Sequence, residues 1–262
     1  KISFGIGTDS HYADKPGGRR VYRESIKKMT ECVKLMNDKK VEFLVELGDF
    51  VDKGNNGEVT LKYLDAIEKV YRMFSGPRYH VLGNHDTDKT TKAQFMSRIE
   101  NTGIKKDATY YSYDHKGVHF VVLDACYNSK GESYAPGNHG WKDTWIPPEE
   151  LAWLAKDLAS TSKPVIAFCH QQLCGVGAHY VKNADKLREV LQKNKNVLAA
   201  INGHNHGGGY KQIAGIHYYT LKAMVEGGGE KNNSYAIVDV HADNSLTVTG
   251  YRKATSKEMA KG

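Results

Sequence analysis

Short apolar stretches alternate with amphipathic stretches along most of the chain. The short apolar stretches are typical of buried strands. Between them, apolar residues recur every three or four positions, which predicts helices that bury one face. The predicted strands that run directly into a polar motif span residues 2–6, 41–47, 79–82, 165–169 and 197–201. Such an alternation is typical of parallel strands joined by helices.

The helical pattern is clearest after the first strand, where Ile26, Met29, Val33 and Met36 recur at helical spacing. Another helix is predicted to begin at residues 147–150, because proline and acidic residues are favoured in a first turn. The other predicted helices span about residues 22–37, 58–74, 90–98 and 183–193. These helices lie between the predicted strands in both halves of the chain.

A hairpin and a set of closing strands complete the pattern. Residues 110–114 and 118–124 predict the hairpin, and an irregular segment at 126–146 follows it. Antiparallel strands are predicted at residues 210–213, 216–221, 234–240 and 245–252. We therefore expect an α/β fold in which two mixed β-sheets pack face to face with helices outside, a four-layer αββα sandwich.

The 262 residues are expected to form a single domain, 1–262, because no Pro-rich or Ser-rich tract interrupts the alternation. The irregular segment 126–146 is expected to lie on the substrate side. No apolar run approaches the length needed to cross a bilayer, so membrane insertion is not expected. The chain opens at Lys1 without a Met, which slightly favours a processed, periplasmic or secreted protein.

The formal net charge is +7, but the lysines are dispersed along the chain. Dispersed lysines favour a solvated surface over a nucleic-acid-binding arm, so nucleic acid is not the expected partner. The cysteines are Cys32, Cys126, Cys169 and Cys174. Their spacing is not that of a zinc ribbon, and we expect buried free thiols. A bridge between Cys169 and Cys174 stays open for an oxidising compartment. The sequence does not indicate an oligomeric state.

Imidazoles, carboxylates and one carboxamide follow directly on the five strands. Carboxyl ends of strands in an open α/β sheet form the edge where ligands and catalytic groups collect. This mixture of N and O donors suits divalent transition metals and exceeds what one ion needs, so we expect two ions that share a carboxylate. Taken singly, a strand-end Asp more often caps a turn or a helix. The motifs are Asp9-Ser10-His11, Gly48-Asp49-Phe50-Val51-Asp52, Gly83-Asn84-His85-Asp86, His170 and Gly203-His204-Asn205-His206.

In this order, the five motifs resemble those of the calcineurin-like metallophosphoesterases, and the resemblance covers essentially the whole chain. It implies a reaction in which a hydroxide that bridges two metal ions attacks phosphorus. It also implies that Asp49 bridges the ions. The implied ligands of the first ion are Asp9, His11 and His206, and those of the second are Asn84, His170 and His204.

The resemblance further implies catalytic roles for two residues that are not ligands. His85 is implied as a general acid or a stabiliser of a phosphate oxygen, and Asp52 as the partner that fixes its tautomer. Lys53 stands where related phosphatases carry an arginine that binds phosphate. Lysine supplies the charge but not the bidentate geometry.

Further stretches are similar to the manganese-dependent ADP-ribose/CDP-alcohol diphosphatases, and Asp9-Ser10-His11 also resembles the cyclic-nucleotide phosphodiesterases. This similarity implies Mn²⁺, although Fe and Zn fit the donors as well. Arg19 and Arg20 are candidates to contact a second phosphate, with helix-surface charges as the alternative. Tyr210 is a candidate to line the pocket. Four aromatic residues of the irregular segment are candidates to stack a base, with packing of the segment onto the body as the alternative: Tyr127, Tyr134, Trp141 and Trp145.

We therefore expect a hydrolase that uses two divalent metal ions to cleave phosphodiester or diphosphate bonds of small nucleotide-type substrates. A broad phosphomonoesterase is the alternative within enzymes, and the two differ in their preference for aryl monoesters or diesters. A nuclease or a basic nucleic-acid-binding protein is the alternative outside this class. It predicts nucleic-acid binding that falls steeply with salt.

Overall fold

The computed structural model describes residues 1–261, and the strands within this range form two six-stranded sheets. The strands are β1 Ile2–Gly7, β2 Leu44–Glu46, β3 Arg78–His80, β4 Tyr111–His115, β5 Val118–Val122, β6 Val165–Cys169, β7 Val197–Asn202, β8 Gly209–Ile213, β9 Ile216–Thr220, β10 Ser234–Val240, β11 Leu246–Arg252 and β12 Lys257–Met259. The helices are α1 Ser25–Asp38, α2 Gly57–Tyr71, α3 Lys92–Met96, α4 Pro148–Ala159 and α5 Ala184–Lys193. Short 3₁₀ helices span Tyr22–Glu24, His85–Thr87 and Glu230–Asn232.

Sheet one has the strand order β12-β11-β10-β1-β2-β3, and sheet two has the order β4-β5-β6-β7-β9-β8. The strands β1, β2 and β3 run parallel, as do β5, β6, β7 and β9. Parallel strands bring their carboxyl ends to one edge of each sheet. Both sheets also contain antiparallel pairs, including β1 with β10 and β4 with β5. The prediction of two mixed sheets is confirmed.

Aromatic side chains from both sheets fill the space between them. Phe4 of sheet one stacks on Phe43, which directly precedes β2, at 4.9 Å between ring centroids and meets Phe120 of sheet two edge-on at 5.5 Å. Phe168 of sheet two contacts the Phe4 ring at 5.8 Å. All four rings are fully buried. Side chains of this size supply much of the apolar area that drives the sheets together.

Helices cover the outer face of each sheet. The apolar faces of α1 and α2, which include Met29 and Leu64, pack with Leu44 on sheet one. Leu154 of α4 and Leu187 of α5 pack on the outer face of sheet two. The Asn56 side chain accepts a hydrogen bond from the backbone N–H of Val59 at the start of α2, as expected of a helix cap. The predicted four-layer αββα sandwich is thereby confirmed.

The closing strands are distributed less simply than the sequence predicts. The pair β8 and β9 joins sheet two, where β9 lies parallel to β7, whereas β10 and β11 return to sheet one. The strand β12 was not predicted, because it is short and polar. Cys169 and Cys174 are buried free thiols. Among the helices within residues 1–261, none has the length and apolar character needed to cross a membrane.

Candidate metal centre

Five strand ends meet at one edge shared by the two sheets. The strands β1, β2 and β3 lead to Asp9, Asp49 and Asn84, and β6 and β7 lead to His170 and His204. All five residues are buried. With His11 and His206, which follow on the same segments, the structure brings together every residue predicted to bind a metal. Both sheets therefore contribute to the site.

The backbone is strained at four of these residues. The φ angles are 51° at Asp9, 46° at His11, 56° at Asp49 and 66° at His204. The left-handed region costs residues other than glycine about 1–2 kcal/mol each. Strain of this kind is typical of functional sites, where the surrounding structure holds it in place.

Two glycines allow the loops of the site to approach each other. A Cβ atom on Gly83 would lie 2.1 Å from the backbone N of Asp49. A Cβ atom on Gly203 would lie 2.1 Å from the Oγ1 of Thr8. Both distances are far below van der Waals contact, so only glycine fits between each strand and its motif.

Asp9, His11 and His206 form the first group of donors. The Oδ1 atom of Asp9 lies 3.6 Å from Nε2 of His11 and 3.3 Å from Nε2 of His206. The Oδ2 atom of Asp49 lies 3.5 Å from the same His11 nitrogen. Ligands bound at about 2.0–2.2 Å from one ion are separated by distances of this order. A single cation can therefore contact Asp9, His11 and His206 together, and Asp49 faces the same His11 nitrogen.

Asp49, His170 and His204 form the second group. The Oδ2 atom of Asp49 lies 3.1 Å from Nε2 of His170, and the Nδ1 atom of His204 lies 3.2 Å from that nitrogen. Asn84 lines the same cleft as Asp49 and His204. The Asp49 carboxylate therefore faces both groups.

Several of these donor atoms are buried without a hydrogen-bond partner among residues 1–261. They include Oδ1 of Asp9, Nε2 of His11 and Oδ1 of Asn84. A buried polar atom without a partner costs about 1–3 kcal/mol. Bound cations would satisfy these atoms, so the donor set fits a pair of divalent ions.

The electrostatics of the site favour positive charge at its centre. Burial opposes the ionisation of Asp9 and Asp49, yet the neighbouring imidazoles hold the pKa of both carboxyls well below the usual range. Burial also disfavours charge on His11 and His170, but the carboxylates raise the pKa of His11 to about 10 and that of His170 to about 9. Burial lowers the pKa of His204 to about 3, which keeps it neutral, as a metal ligand must be.

The second ring nitrogen of three of the imidazole donors has a partner that orients the ring. The Nδ1 atom of His11 donates to Oδ2 of Asp52 at 3.1 Å, and Nδ1 of His206 donates to Oε1 of Glu226 at 2.6 Å. The Nδ1 atom of His170 donates to a backbone oxygen at 2.8 Å. Such partners fix the tautomer of a ligand and raise its basicity. Glu226 is a residue that sequence reasoning did not place in the site.

Asp52 has a different closest partner from the one that the resemblance implies. Its Oδ2 atom is 3.1 Å from Nδ1 of His11 but 3.7 Å from Nδ1 of His85. Its Oδ1 atom accepts from Nζ of Lys15 at 2.6 Å and from the backbone N–H of Lys53 at 2.8 Å. Since the two imidazole rings are only 4.7 Å apart, motif spacing cannot distinguish which of them Asp52 orients.

Asp86 joins the two loops that carry Asp49 and Asn84, a role that sequence reasoning also missed. Its buried carboxylate accepts backbone N–H groups from both loops. The donors are Gly83 at 2.9 Å, Asp49 at 3.1 Å, Phe50 at 2.9 Å and Val51 at 3.1 Å. Its place at the end of the Gly-Asn-His-Asp motif is the signal that points to such a role.

A cleft of about 600 Å³ opens over the donor groups. Its walls include Arg20 and His85, together with Trp141 and His179 from the loops of sheet two. The Trp141 ring lies 5.4 Å from that of His179, and 38% of the residue is exposed. Trp141 is therefore the aromatic residue of the irregular segment that faces the cleft. The cleft extends beyond the donor groups and has room for more than a phosphate.

The two candidate arginines are placed differently. Arg20 lines the cleft, with its guanidinium 3.9 Å from Glu226 and 4.0 Å from Asp52. Arg19 also lines the cleft, but it pairs with Glu226 at 2.6 Å and 83% of its side chain is exposed. Both arginines lie on the rim. Arg19 is nearer to Glu226, which orients His206, whereas Arg20 lies between Glu226 and Asp52, which orients His11.

Two predicted substrate contacts are engaged elsewhere. The Nζ atom of Lys53 lies 3.4 Å from Oδ2 of Asp88, so its charge faces a carboxylate. Tyr210 lies on the edge strand β8, where its hydroxyl bonds to Nδ1 of His217 at 2.8 Å and Lys257 lies over its ring. The proximity of Tyr210 to a metal motif in sequence is misleading, because β8 carries it away from the cleft.

Comparisons with known proteins identify similar sequences and a similar fold. The family model described as calcineurin-like phosphoesterase matches residues 2–208. The manganese-dependent ADP-ribose/CDP-alcohol diphosphatase of Oryza sativa subsp. japonica is 26% identical over 98% of this chain and 94% of that protein. The protein of the same description from Arabidopsis thaliana is 26% identical over 98% and 96%. A dimetal phosphatase from Danio rerio shares the fold, with a TM-score of 0.85 at 20% identity over 100% of this chain and 99% of that one.

Proposed function

Because the chain belongs to the calcineurin-like phosphoesterase family, we propose that it hydrolyses phosphodiester or diphosphate bonds of small nucleotide-type substrates with two divalent metal ions. One observation carries this proposal. The Asp49 carboxylate faces two groups of buried donors, at 3.5 Å from His11 and 3.1 Å from His170. A shared carboxylate between two N and O donor groups is suited to a pair of ions that act on one phosphate.

The ligand assignment follows from the two groups. Asp9, His11 and His206 would hold one ion, Asn84, His170 and His204 would hold the other, and Asp49, which faces both groups, would be shared between them. When bound, divalent ions lower the pKa of water and neutralise charge on phosphate oxygens. Mn²⁺ is the ion named in the description of the plant relatives, and it suits this mixture of imidazole and oxygen donors.

The remaining residues bind substrate and move protons. Hydrolysis forms a bond from a water oxygen to phosphorus and breaks the bond to the leaving oxygen, which keeps the electron pair. His85 lines the cleft and donates a proton to that leaving oxygen. Arg20 contacts a second phosphate group, and Trp141 offers a surface on which a base can stack.

The substrate class is supported by the relatives and by the cleft. The plant relatives are described as diphosphatases of ADP-ribose and CDP-alcohols. The alignment with this chain covers nearly the whole length of each of these relatives. The cleft of about 600 Å³ has an arginine on one wall and a tryptophan on another. A nucleoside diphosphate linked to a second group matches both features.

A substrate panel tests the proposal. The protein is loaded with Mn²⁺ and assayed on ADP-ribose, CDP-choline, cyclic AMP, 4-nitrophenyl phosphate and bis(4-nitrophenyl) phosphate. We expect turnover of the diphosphates and the aryl diester in preference to the aryl monoester. Preference for 4-nitrophenyl phosphate would instead indicate a phosphomonoesterase. His170→Ala, which removes a ligand, is the control for contaminating phosphatases and should abolish the activity.

A further inference from the structure

A buried carboxylate behind His85 has no role in holding the metals. The Asp88 side chain is 7% exposed, and three side chains that can carry positive charge surround it. Its Oδ2 atom lies 3.5 Å from Nδ1 of His85 and 3.4 Å from Nζ of Lys53. Its Oδ1 atom lies 3.4 Å from Nδ1 of His139. These three groups come from three separate segments, so Asp88 links them.

Local backbone structure aligns Asp88 with His85. The short 3₁₀ helix His85–Thr87 ends at Asp88, whose backbone N–H donates to the carbonyl oxygen of His85 at 3.2 Å. In a 3₁₀ helix, residues three apart lie directly above one another. The carboxylate therefore faces the imidazole because of the turn itself.

Asp88 is also more available to His85 than Asp52 is. Asp52 already accepts from His11, Lys15 and a backbone N–H. By contrast, Oδ2 of Asp88 and Nδ1 of His85 are both buried and lack other hydrogen-bond partners in the described chain. A movement of a few tenths of an ångström turns their 3.5 Å contact into a hydrogen bond.

The charge on Asp88 is maintained in this environment. Burial would raise the pKa of its carboxyl, but His85, His139 and Lys53 hold that pKa below the usual value. An ionised carboxylate accepts hydrogen bonds and cannot donate them, so a hydrogen bond between Asp88 and His85 places the hydrogen on Nδ1 of His85. The other ring nitrogen, Nε2, is then left for the reacting groups.

We propose that Asp88 is a positioning residue that fixes the His85 ring so that its Nε2–H faces the leaving oxygen of the substrate. The inference rests on the proposed function, in which His85 protonates that oxygen. During the step the Nε2 proton moves to the leaving oxygen while Asp88 keeps the hydrogen bond to Nδ1. Asp88 touches neither substrate nor metal, and it acts through the imidazole alone.

Two substrates with the same nucleotide and different leaving groups test the inference. The phenyl ester of thymidine 5′-monophosphate has a poor leaving group and needs proton donation, whereas the 4-nitrophenyl ester does not. With Mn²⁺ present, Asp88→Asn should lower kcat on the phenyl ester about tenfold or more and change kcat on the 4-nitrophenyl ester less than about threefold. KM should stay the same for both esters.

Controls separate this inference from the proposed function. His85→Ala should show the same selectivity with a larger loss on the phenyl ester, about 100-fold, and adding Asp88→Asn to it should cause no further loss. Asp14→Asn removes an exposed carboxylate that pairs with Arg23 and should change neither ester. Bound Mn²⁺ and the thermal unfolding midpoint are measured for each variant. Asp88→Ala should lower kcat on the phenyl ester more than Asp88→Asn does.

The possible failures are distinct. If His85→Ala loses activity equally on both esters, the acid role in the proposed function is wrong. If His85→Ala is selective but Asp88→Asn is not, or if the two losses add in the double variant, Asp88 does not position His85. Loss of Mn²⁺ from Asp88→Asn would also overturn the inference, because it would assign the carboxylate to the metal centre.

Discussion

Asp49 is the residue on which the two-ion arrangement depends. One carboxylate oxygen faces His11 and His170, and the other accepts the backbone N–H of His85 at 2.7 Å. The hydrogen bond fixes the orientation of the carboxylate. Both donor groups therefore depend on a single side chain, which gives the first prediction.

Asp49→Asn should weaken the binding of both ions together. The substitution removes the shared negative charge while it keeps the shape of the side chain. We expect each Mn²⁺ affinity to fall more than about tenfold, because loss of a ligand costs at least as much as loss of an outer partner. Titration calorimetry with Mn²⁺ measures both sites. Asp65→Asn, on an exposed residue paired with Arg98, is the control. Selective loss of one ion would contradict the bridging role.

Glu226→Gln should lower the affinity only for the ion that His206 binds. Glu226 accepts from Nδ1 of His206 at 2.6 Å, and the amide cannot replace the charge that makes this imidazole a stronger ligand. Changes in such outer partners lower metal affinity by about 10–100-fold. The matched control is Glu230→Gln, which affects an exposed glutamate on the same segment. Equal weakening of both ions in the titration would show that Glu226 does not act through His206.

The sequence predicts donor residues better than it predicts their partners. Each donor follows a strand, and parallel strands place their ends at one edge, so the set of donors follows from local pattern. The choice of Asp52 for His11 depends on side-chain positions in three dimensions. Tyr210 was misplaced for a related reason, since nearness in sequence does not reveal the direction of β8. Asp88, by contrast, could have been recognised as a partner of His85 from the sequence, because it lies three residues after His85 on a tight turn.

At the level of elements, a histidine connects the hairpin of β4 and β5 to α4 through hydrogen bonds. His119 of β5 bonds to Asp114 of β4 through Nδ1 at 2.8 Å and to Asp157 of α4 through Nε2 at 2.8 Å. Lys163 also pairs with Asp114. The hydrogen bond to Asp157 raises the pKa of His119, burial opposes the rise, and Asp114 adds to it.

This arrangement predicts how stability depends on pH. A histidine whose pKa is raised in the folded state stabilises the fold fully below its unfolded pKa, near 6.5, and loses that contribution as the pH rises through the folded value. The free energy of unfolding from urea titrations should therefore fall as the pH rises above about 6.5. At fixed Mn²⁺ concentration, His119→Gln should make the free energy of unfolding depend less steeply on pH. An identical slope in the variant would contradict the prediction.

The elements themselves were largely predictable, and their assignment to sheets was not. The predicted strands 165–169 and 234–240 match β6 and β10, because long apolar runs between polar turns have few alternatives. Whether a closing strand joins sheet one or sheet two depends on long-range pairing. Thus β9 and β10 look alike in sequence, yet one pairs with β7 and the other with β1.

On the scale of the whole molecule, the metal centre joins the two sheets. Sheet one supplies Asp9, Asp49 and Asn84, and sheet two supplies His170 and His204. Because the ligands come from both sheets, the ions bind the folded chain and not the unfolded chain. Binding should therefore stabilise the fold by mass action.

Metal removal should lower the thermal unfolding midpoint. Each of the two sites should add about 2.7 kcal/mol to the free energy of unfolding when Mn²⁺ is present at about 100 times the Kd of that site. We expect EDTA to lower Tm and excess Mn²⁺ to restore it. The Asp49→Asn protein, measured in parallel, should respond much less. If chelation leaves Tm unchanged in the wild-type protein, the ions do not join the sheets.

Anomalous diffraction from Mn²⁺-loaded crystals would locate the two ions directly. Two peaks are predicted at the shared edge of the sheets, each within coordination distance of the Asp49 carboxylate. One peak should be contacted by Asp9, His11 and His206, and the other by Asn84, His170 and His204. A single peak, or two peaks of which only one is bound by Asp49, would contradict the account.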